Sequence, residues 1–522
     1  MKRWFQRSLG AGLGLAALSL GACAQDYGDI DRTQPDKIEK SMFDIANHGE
    51  WYFKQTVVGS SATNYTSFVG LEGDMQRVSF EITEDNLIGR RTHEDVIGLN
   101  SSQNGVPNNA PPPKSAVISF PIREHFDVKR EYNSATGEQS NVISENGSDR
   151  PWYQRDYIRV DWAHNQLEAD NDPFAAPGSW GLGGYTVSPT ESGEKPTVTI
   201  EKDPTTGEVT YFDVVTTYVY NYDWFECVMD FGYPLSGSDC GSEMVQVRSS
   251  FRKVSEEETN SYIARKYDEY DMLKFGFFRT ERCAYDRYYG CRDSSKVTLA
   301  NNWRIFEKYK NADGSVIPPA DRVLKPLTYY VNDGYPWPLL DEAFDATNQW
   351  NAVFRRAVAA AQSKPIADVP RMFYMCFNPG TADEAAANQQ RDEWLAQTMD
   401  PEAKQLLTEA FAASVEGYQK GYCKKAGEVK NLGDLRYSFI NWVNNVTTLP
   451  WGGYGPSAAD PLTAEIVNGN ANLNGSNYDE AATRVLELVK VAQGKLTPED
   501  VGFARPTKEY FAKLQQQFAN DP

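Results

Sequence analysis

The sequence predicts an α+β fold, in which β-rich antiparallel N-terminal domains precede a domain of α/β character. Three observations support this prediction. Short runs of alternating, β-branched or aromatic residues dominate residues 48–320. A strong amphipathic helix pattern spans 340–361, and strand and helix patterns alternate from there to residue 492. We therefore expect sheets packed on sheets first, and helices packed on a sheet afterwards.

The β-rich part divides at a stretch rich in Gly, Pro and Ser, residues 163–195. The first domain, 48–162, contains strand patterns such as WYFKQTVV at 51–58, separated by turn signals. The second region, 163–320, has long loops and a hairpin pattern around the turn PTTGE. The predicted strands of the two regions lie at 51–58, 65–71, 76–83, 86–91, 116–122, 125–132, 154–162, 195–221, 244–253 and 274–280.

The third region, residues 321–522, mixes the two periodicities. Its long helix carries acidic residues in the first turn and arginines near the end, which suits the helix dipole. Two further helices meet at Asp400-Pro401, since proline starts a helix far better than it continues one. The predicted elements, in order, are a strand at 327–333, a helix at 340–361, a strand at 369–377, helices within 382–420, strands at 435–443 and 464–474, and helices at 477–492 and 506–518.

Residues 1–22 have the pattern of a secretory signal peptide: three cations, then an uncharged stretch too short to span a bilayer permanently. The stretch ends in Leu-Gly-Ala-Cys, which resembles the bacterial lipobox, so we expect a lipid on Cys23 and a lipidated tether over 23–47. The alternative is an ordinary secretory signal with an incidental cysteine. Ala24 favours the outer membrane, so the expected location is the cell envelope, on its periplasmic face or at the cell surface.

The charge of the chain excludes one class of partner. The formal net charge is −20, and residues 1–22 contain three cations and no acids, so the processed chain carries −20 − 3 = −23. Such a surface repels nucleic acid. We therefore expect no nucleic-acid partner, and a membrane partner only through the lipid on Cys23.

Six further cysteines fall as three local couples, which an oxidising envelope compartment would favour as disulfides. Six cysteines allow 15 connectivities. The local pairing is preferred because short loops close at the least entropic cost. A zinc site on these cysteines is the weaker alternative, because no CxxC occurs. The preferred pairs are Cys227–Cys240, Cys283–Cys291 and Cys376–Cys423.

Several segments together resemble bacterial zinc-dependent metallopeptidase lipoproteins of the metzincin-like kind. They are KFGFFRTERCAYDRYYGCRDSSKVTLANNWRIFEKY (274–309), LTYYVND followed by LLDEAFDATNQWNAVF, and GDLRYSFINWV followed by GYGPSAADPLTAEIV. The last block is the most specific of them. The resemblance covers roughly residues 40–490 and makes the third region a partial metzincin-like domain.

The resemblance implies a twisted sheet with a long packing helix and an edge strand at 464–473, to which a polypeptide substrate adds as another strand. The implied substrate-edge residues are Tyr454, Gly455, Ser457, Ala464, Glu465, Ile466 and Val467. It also implies a zinc helix carrying HExxHxxGxxH, with two histidines one turn apart. The chain contains only His48, His93, His125 and His164, and none of them forms HxxxH. We therefore assign no catalytic residue, metal ligand or cofactor to this chain, and expect zinc only in a full-length relative.

Two hypotheses follow. In the first, the chain is the non-zinc portion of an envelope-anchored metallopeptidase lipoprotein and is inactive by itself. In the second, it is a complete, non-catalytic surface lipoprotein that binds polypeptide or glycan through aromatic and strand-edge surfaces. An unfilled groove beside 464–473, with exposed apolar surface where a helix should pack, would favour the first hypothesis.

Overall fold

A computed structural model describes most of the chain from residue 37 to residue 501. The described residues are 37–45, 49–60, 67–93, 96–97, 115–132, 135–167, 184–186, 197–220, 243–286, 288–398, 400–444 and 451–501. The expected signal peptide, Cys23, Cys227, Cys240, His48 and the predicted helix at 506–518 lie outside them. The α+β fold class is confirmed: a large antiparallel sheet is followed by helices around a mainly parallel sheet.

The N-terminal sheet has eleven strands among the described residues, all paired antiparallel. Its central path runs β1-β8-β6-β4-β3-β2-β12-β11-β10, so strands from both predicted β-rich regions share one sheet. The predicted boundary between residues 162 and 163 therefore does not separate two sheets, because strands before and after it belong to the same sheet. The strands are β1 (Ile38–Glu39), β2 (Trp51–Ser60), β3 (Gln76–Ile82), β4 (Asn86–Arg91), β6 (Ala116–Tyr132), β7 (Gln139–Asn146), β8 (Tyr157–Val160), β9 (Gly184–Thr186), β10 (Thr197–Lys202), β11 (Val209–Tyr220) and β12 (Glu243–Lys253).

Aromatic residues in register form the core of this sheet. Phe53, Phe251 and Phe212 are direct cross-strand neighbours on β2, β12 and β11. Their rings stack with centroids 4.9 and 4.4 Å apart, and each is almost completely buried. Trp51 meets Phe212 edge-to-face at 5.3 Å. Aromatic pairs on neighbouring strands stabilise a sheet beyond the area they bury, so this row fixes the register.

A small sheet and two short helices connect the larger units. Strand β13 pairs antiparallel with β14 and parallel with β5. The segment 274–280, predicted as a strand, is instead the end of a helix, a turn and the first residues of β13. That helix is capped by Asp268 at its start and by the left-handed Gly276 at its end. The elements are β5 (Val96–Ile97), α1 (Glu256–Ser261), α2 (Glu269–Phe275), β13 (Arg279–Ala284) and β14 (Lys296–Ala300).

The C-terminal sheet has the order β15-β21-β18-β16-β17, with parallel pairing throughout that path. Two short strands, β19 and β20, pair antiparallel with β21. The strands are β15 (Asn302–Trp303), β16 (Leu327–Val331), β17 (Phe373–Cys376), β18 (Ser438–Val443), β19 (Gly453–Tyr454), β20 (Ser457–Ala459) and β21 (Glu465–Asn474). The helices are α3 (Leu340–Gln362), α4 (Glu384–Gln397), α5 (Pro401–Gln419), α6 (Gly475–Ala492) and α7 (Pro498–Val501).

The edge-strand prediction for 464–473 is wrong. Strand β21 pairs with β15 and β18 on one side and with β19 and β20 on the other. Because the chain doubles back through Gly453–Ala459, both rows of β21 backbone groups have partners. The strand predicted at 65–71 is also not found in its described part, where residues 69–70 form a turn.

Two predicted disulfides are confirmed, and the third lies outside the described residues. Cys283–Cys291 closes a short turn after β13. Cys376–Cys423 links the end of β17 to the segment after α5, where both cysteines are buried. Within the part of the chain that the structure describes, no helix is both long and apolar enough to cross a membrane.

Candidate functional site

The candidate site is a groove of about 740 Å³ between α3, α6 and one face of the C-terminal sheet. All five strands on the path β15-β21-β18-β16-β17 contribute residues to its lining. Helix α3 forms one wall and the start of α6 forms the other. Residues that define it are Tyr329, Phe373, Ile440, Trp442, Ala471 and Leu473 on the sheet, with Ala346, Trp350 and Phe354 on α3 and Tyr478 and Ala482 on α6.

Strand β21 separates this groove from the N-terminal sheet, and its two faces differ in chemistry. Side chains alternate between the faces of a strand. Ala471 and Leu473 face the groove. A Cβ on Gly469 would lie 2.8 Å from the Tyr329 hydroxyl and 2.9 Å from the Trp303 ring, so only glycine fits there. The alternate residues, Asn468, Asn470, Asn472 and Asn474, are all buried, and only Asn470 among them also borders the groove.

The asparagine face of β21 forms a polar seam with the N-terminal sheet. Asn468 accepts a hydrogen bond from Lys54 Nζ at 2.5 Å. Asn470 donates to the Glu72 carboxylate, and Asn472 donates to the Gly70 carbonyl at 3.3 Å. These bonds satisfy buried amides that would otherwise cost free energy. They also fix how the two sheets face each other.

Buried ion pairs reinforce the polar seam. Lys54 Nζ lies 2.8 Å from Glu72 Oε2, with side chains 1% and 3% exposed. Arg77 donates two hydrogen bonds to Asp460, at 2.8 and 2.5 Å. These contacts hold the pKa of Arg77 above its ordinary value despite burial. A guanidinium and a carboxylate in this bidentate arrangement give geometric specificity as well as attraction.

Aromatic rings line the groove in two connected rows. Phe354 stacks on Phe373 at 6.2 Å, and Phe373 stacks on Tyr329 at 5.1 Å. On the other side, Trp442 stacks on Tyr478 at 5.7 Å. The groove therefore offers large flat apolar surfaces that are already held in place by their neighbours.

The apolar surface of the groove continues along α6. Gly475 is the only buried residue of this eighteen-residue helix. Tyr478, Ala482, Val485 and Val489 repeat at helical spacing on one face, and the first two line the groove. Val485 is 60% exposed and Val489 is 45% exposed. A contiguous exposed apolar face of this kind is typical of a surface that binds another element.

The electrostatics of the groove reflect its apolar lining. Burial raises the pKa of Tyr335, at the mouth, to about 12, and raises that of Tyr329 above its ordinary value. The carboxylates of Glu342 and Asp479 also border the groove, and the described lining includes no histidine, cysteine or lysine. This arrangement binds apolar or aromatic surface and holds no nucleophile beside a base.

The structure distributes the predicted substrate-edge residues over two places. Tyr454 and Ser457 lie on β19 and β20 and, with Pro456, line a smaller cavity of about 280 Å³ opposite Glu72–Gln76. Gly455, between the two strands, is exposed. Ala464 is buried with φ +58°, and Glu465 is bound at 2.8 and 2.6 Å by Arg304. Ile466 and Val467 are half-buried within the sheet. None of these residues lines the large groove.

The described histidines do not fit a zinc site. His125 is buried and its Nε2 lies 2.9 Å from the Glu84 carbonyl oxygen. Burial lowers its pKa. His164 Nδ1 lies 3.0 Å from Asp161, and His93 borders the smaller cavity. No group of three or more histidine, cysteine or acidic side chains is placed to hold a metal among the residues described.

Sequence reasoning did not identify the groove residues Trp350, Phe373 and Tyr478 as a site. One signal was available: the predicted helix at 477–492 carries an apolar stripe, which is typical of a helix that packs on another element. No known protein family, curated protein or solved structure matches this chain.

Proposed function

We propose that this chain is the non-zinc portion of an envelope-anchored metallopeptidase lipoprotein, attached to the outer membrane by a lipid on Cys23. The proposal rests on the resemblance of residues 274–475 to that family and on one structural observation. That observation is the apolar groove beneath the C-terminal sheet, continuous with the bare face of α6. A further helix packed there would bury both surfaces.

The occupant of the groove is, on this account, a helical segment of the same enzyme that carries the zinc ligands. The groove is bordered by α3 and α6 on its two sides and by the sheet at its floor. Its lining is apolar, which suits the packing side of an amphipathic helix. The described histidines supply no ligand set, so the metal would be held by that segment.

The polypeptide substrate would approach the strands beyond β21. The short strands β19 and β20 have β21 as their only described strand partner. They leave backbone groups to which an extended peptide could add. Tyr454, Gly455 and Ser457, three of the predicted substrate-edge residues, belong to this segment.

Metal content and hydrolysis test the proposal on this chain. Purified residues 24–522 should contain less than about 0.1 zinc per chain and should not hydrolyse casein, because the known ligand chemistry needs imidazoles that the described residues do not group together. One zinc per chain with turnover would refute the assignment. The coding DNA beyond the codon for Pro522 gives an independent test: an open frame leading to HExxH supports the proposal, and a stop codon opposes it.

The stacked rings of the groove favour a second candidate, a non-catalytic surface lipoprotein that binds polypeptide or glycan. Trp350 is 57% exposed at the groove, so its face is accessible to a ligand. In this case, peptides or oligosaccharides should bind residues 24–522 by calorimetry. Trp350→Ala should weaken that binding about tenfold or more. The exposed Tyr153→Ala, in the N-terminal part, is the matched control.

A further inference from the structure

A second apolar surface lies away from the groove, where α2 turns into β13. We call it the aromatic corner. Leu273 is 82% exposed and Phe278 is 76% exposed. Tyr270, Phe275 and Phe277 are each more than half exposed. Nine consecutive residues, 270–278, thus present five large apolar side chains to solvent.

The aromatic corner is held rigidly. Asp268 caps the first turn of α2, and Gly276 ends the helix in the left-handed conformation. The backbone N–H of Phe277 donates to the hydroxyl of buried Tyr267 at 2.9 Å. Arg279 joins the start of β13 to Glu269 at 2.8 Å. The apolar side chains therefore project from a fixed base, and their exposure is not the result of a frayed end.

The shape of the aromatic corner excludes a groove for a peptide or a sugar. A side chain that is more than 70% exposed stands clear of its neighbours, so Leu273 and Phe278 form a convex surface. A stable protein interface usually takes 20–30 residues from each partner. The corner has about ten. A deformable apolar layer, such as the interior of a lipid membrane, can surround a small convex surface of this kind more easily than a folded protein can.

The charge of the segment indicates what kind of apolar phase it would bind. Residues 266–282 contain four basic and four acidic side chains, so their net charge is zero, whereas the whole chain carries −20. Lys274 extends over the ring of Phe275, with Nζ 5.0 Å from the centroid. A lysine stem lying along apolar surface keeps its ammonium in the polar layer of a membrane.

We propose that the aromatic corner inserts into the interfacial layer of a zwitterionic lipid bilayer. Aromatic and leucine side chains bind that layer through their buried apolar area, and a neutral segment requires no anionic lipid. The corner would then act as a second contact with the membrane, which fixes the orientation of the molecule. This inference stands apart from the proposed peptidase assignment.

Vesicle sedimentation tests the proposal on residues 24–522, which keep every described residue and lack the signal peptide and the lipid site. We expect binding to phosphatidylcholine vesicles that changes less than about twofold between 0.1 and 0.5 M NaCl, because a neutral segment is not screened. Leu273→Ser/Phe278→Ser should lower the partition constant about tenfold or more. Tyr288→Ser, an equally exposed aromatic beyond the other end of β13, should change it less than about twofold.

Three outcomes would overturn the proposal: no binding to phosphatidylcholine, equal binding by the double variant, or binding that requires anionic lipid and disappears in salt. Equal melting temperatures of the variants and the parent chain show that folding is unaffected. As a second measurement, Phe278→Trp should gain fluorescence that brominated phosphatidylcholine quenches. Absence of that quenching would also contradict insertion.

Discussion

The two faces of strand β21 differ in the opposite sense to the usual pattern of a half-buried strand. Its asparagine face is fully buried against the N-terminal sheet, and its small apolar face borders an open groove. Polar residues are normally the exposed set on such a strand. In the polar seam the amides of Asn468, Asn470 and Asn472 and the charges of Lys54 and Glu72 are paired, whereas the groove is open among the described residues.

The two surfaces should therefore respond differently to substitution. Damage to the seam leaves buried polar groups without partners, which is costly. A substitution at an exposed groove residue such as Trp350 removes a side chain that is already in contact with water, which costs little until an occupant is present.

Lys54→Met should have the largest effect. It leaves the Glu72 carboxylate, 3% exposed, without its buried cation, and it removes the hydrogen bond to Asn468. We expect a loss of ~3–5 kcal/mol in the free energy of unfolding, measured by urea titration. Lys129→Met breaks an ion pair of exposed side chains and should change stability little. Similar losses for both variants would show that the seam is not specially important.

Matched leucine substitutions compare a filled helix face with the bare one. Leu407 on α5 is 2% exposed, and Leu486 on α6 is 53% exposed. Leu407→Ala should cost ~2–5 kcal/mol because it leaves a cavity. Leu486→Ala should stay within ~0.5 kcal/mol. A large loss for Leu486→Ala would mean that α6 already has a partner in this chain.

The two disulfides should contribute different amounts to the free energy of unfolding. Cys376 and Cys423 are 47 residues apart, whereas Cys283 and Cys291 are 8 apart. Closing the longer loop restricts the unfolded chain more, by about 1.5 kcal/mol in the chain-entropy relation. Replacing each pair by alanines and comparing urea midpoints measures this difference. Equal losses for the two pairs would contradict the entropic account.

A buried lysine without a carboxylate partner near the C-terminal sheet should make stability depend on pH. Burial lowers the pKa of Lys430 to about 8, and its ammonium donates to the carbonyls of Lys425 and Glu428. The unfolded chain keeps that proton to about pH 10.5, so the unfolded state binds more protons between pH 8 and 10.5 and stability rises with pH there.

The variant Lys430→Met isolates this contribution. The stability difference between parent chain and variant should shift in favour of the parent as pH rises from 8 to 10. Ionisation of tyrosines above pH 10 affects both proteins alike, so it cancels in the difference between their free energies of unfolding. A difference that is constant with pH would contradict the lowered pKa.

Much of the fold was predictable because periodicity and local capping determined it. The helix predicted at 340–361 is found at Leu340–Gln362, and the break at Asp400-Pro401 is where α5 begins. Segment 274–280 was misread because its aromatic density favours a strand, although Asp268 and Gly276 are the caps of a helix. In this segment the two capping residues determine the structure, and the aromatic composition does not.

The site was less predictable because its defining contacts are long-range. The segment 464–473 was predicted as an edge strand, but Asn468 binds Lys54 across 414 positions of sequence. No pattern in the neighbouring sequence can predict a hydrogen-bond partner so far away along the chain. The apolar stripe on α6 is visible in the sequence. Only the structure shows that this stripe is exposed among the described residues.

Among the described residues the apolar face of α6 is exposed, and amide hydrogen exchange is the direct test of whether that face is covered in solution. The account predicts that α6 amides exchange at least ~100-fold faster than those of β21 and α3, because few buried contacts oppose local opening. Protection of α6 equal to that of α3 in the isolated chain would show that its apolar face is already covered, and would contradict the claim.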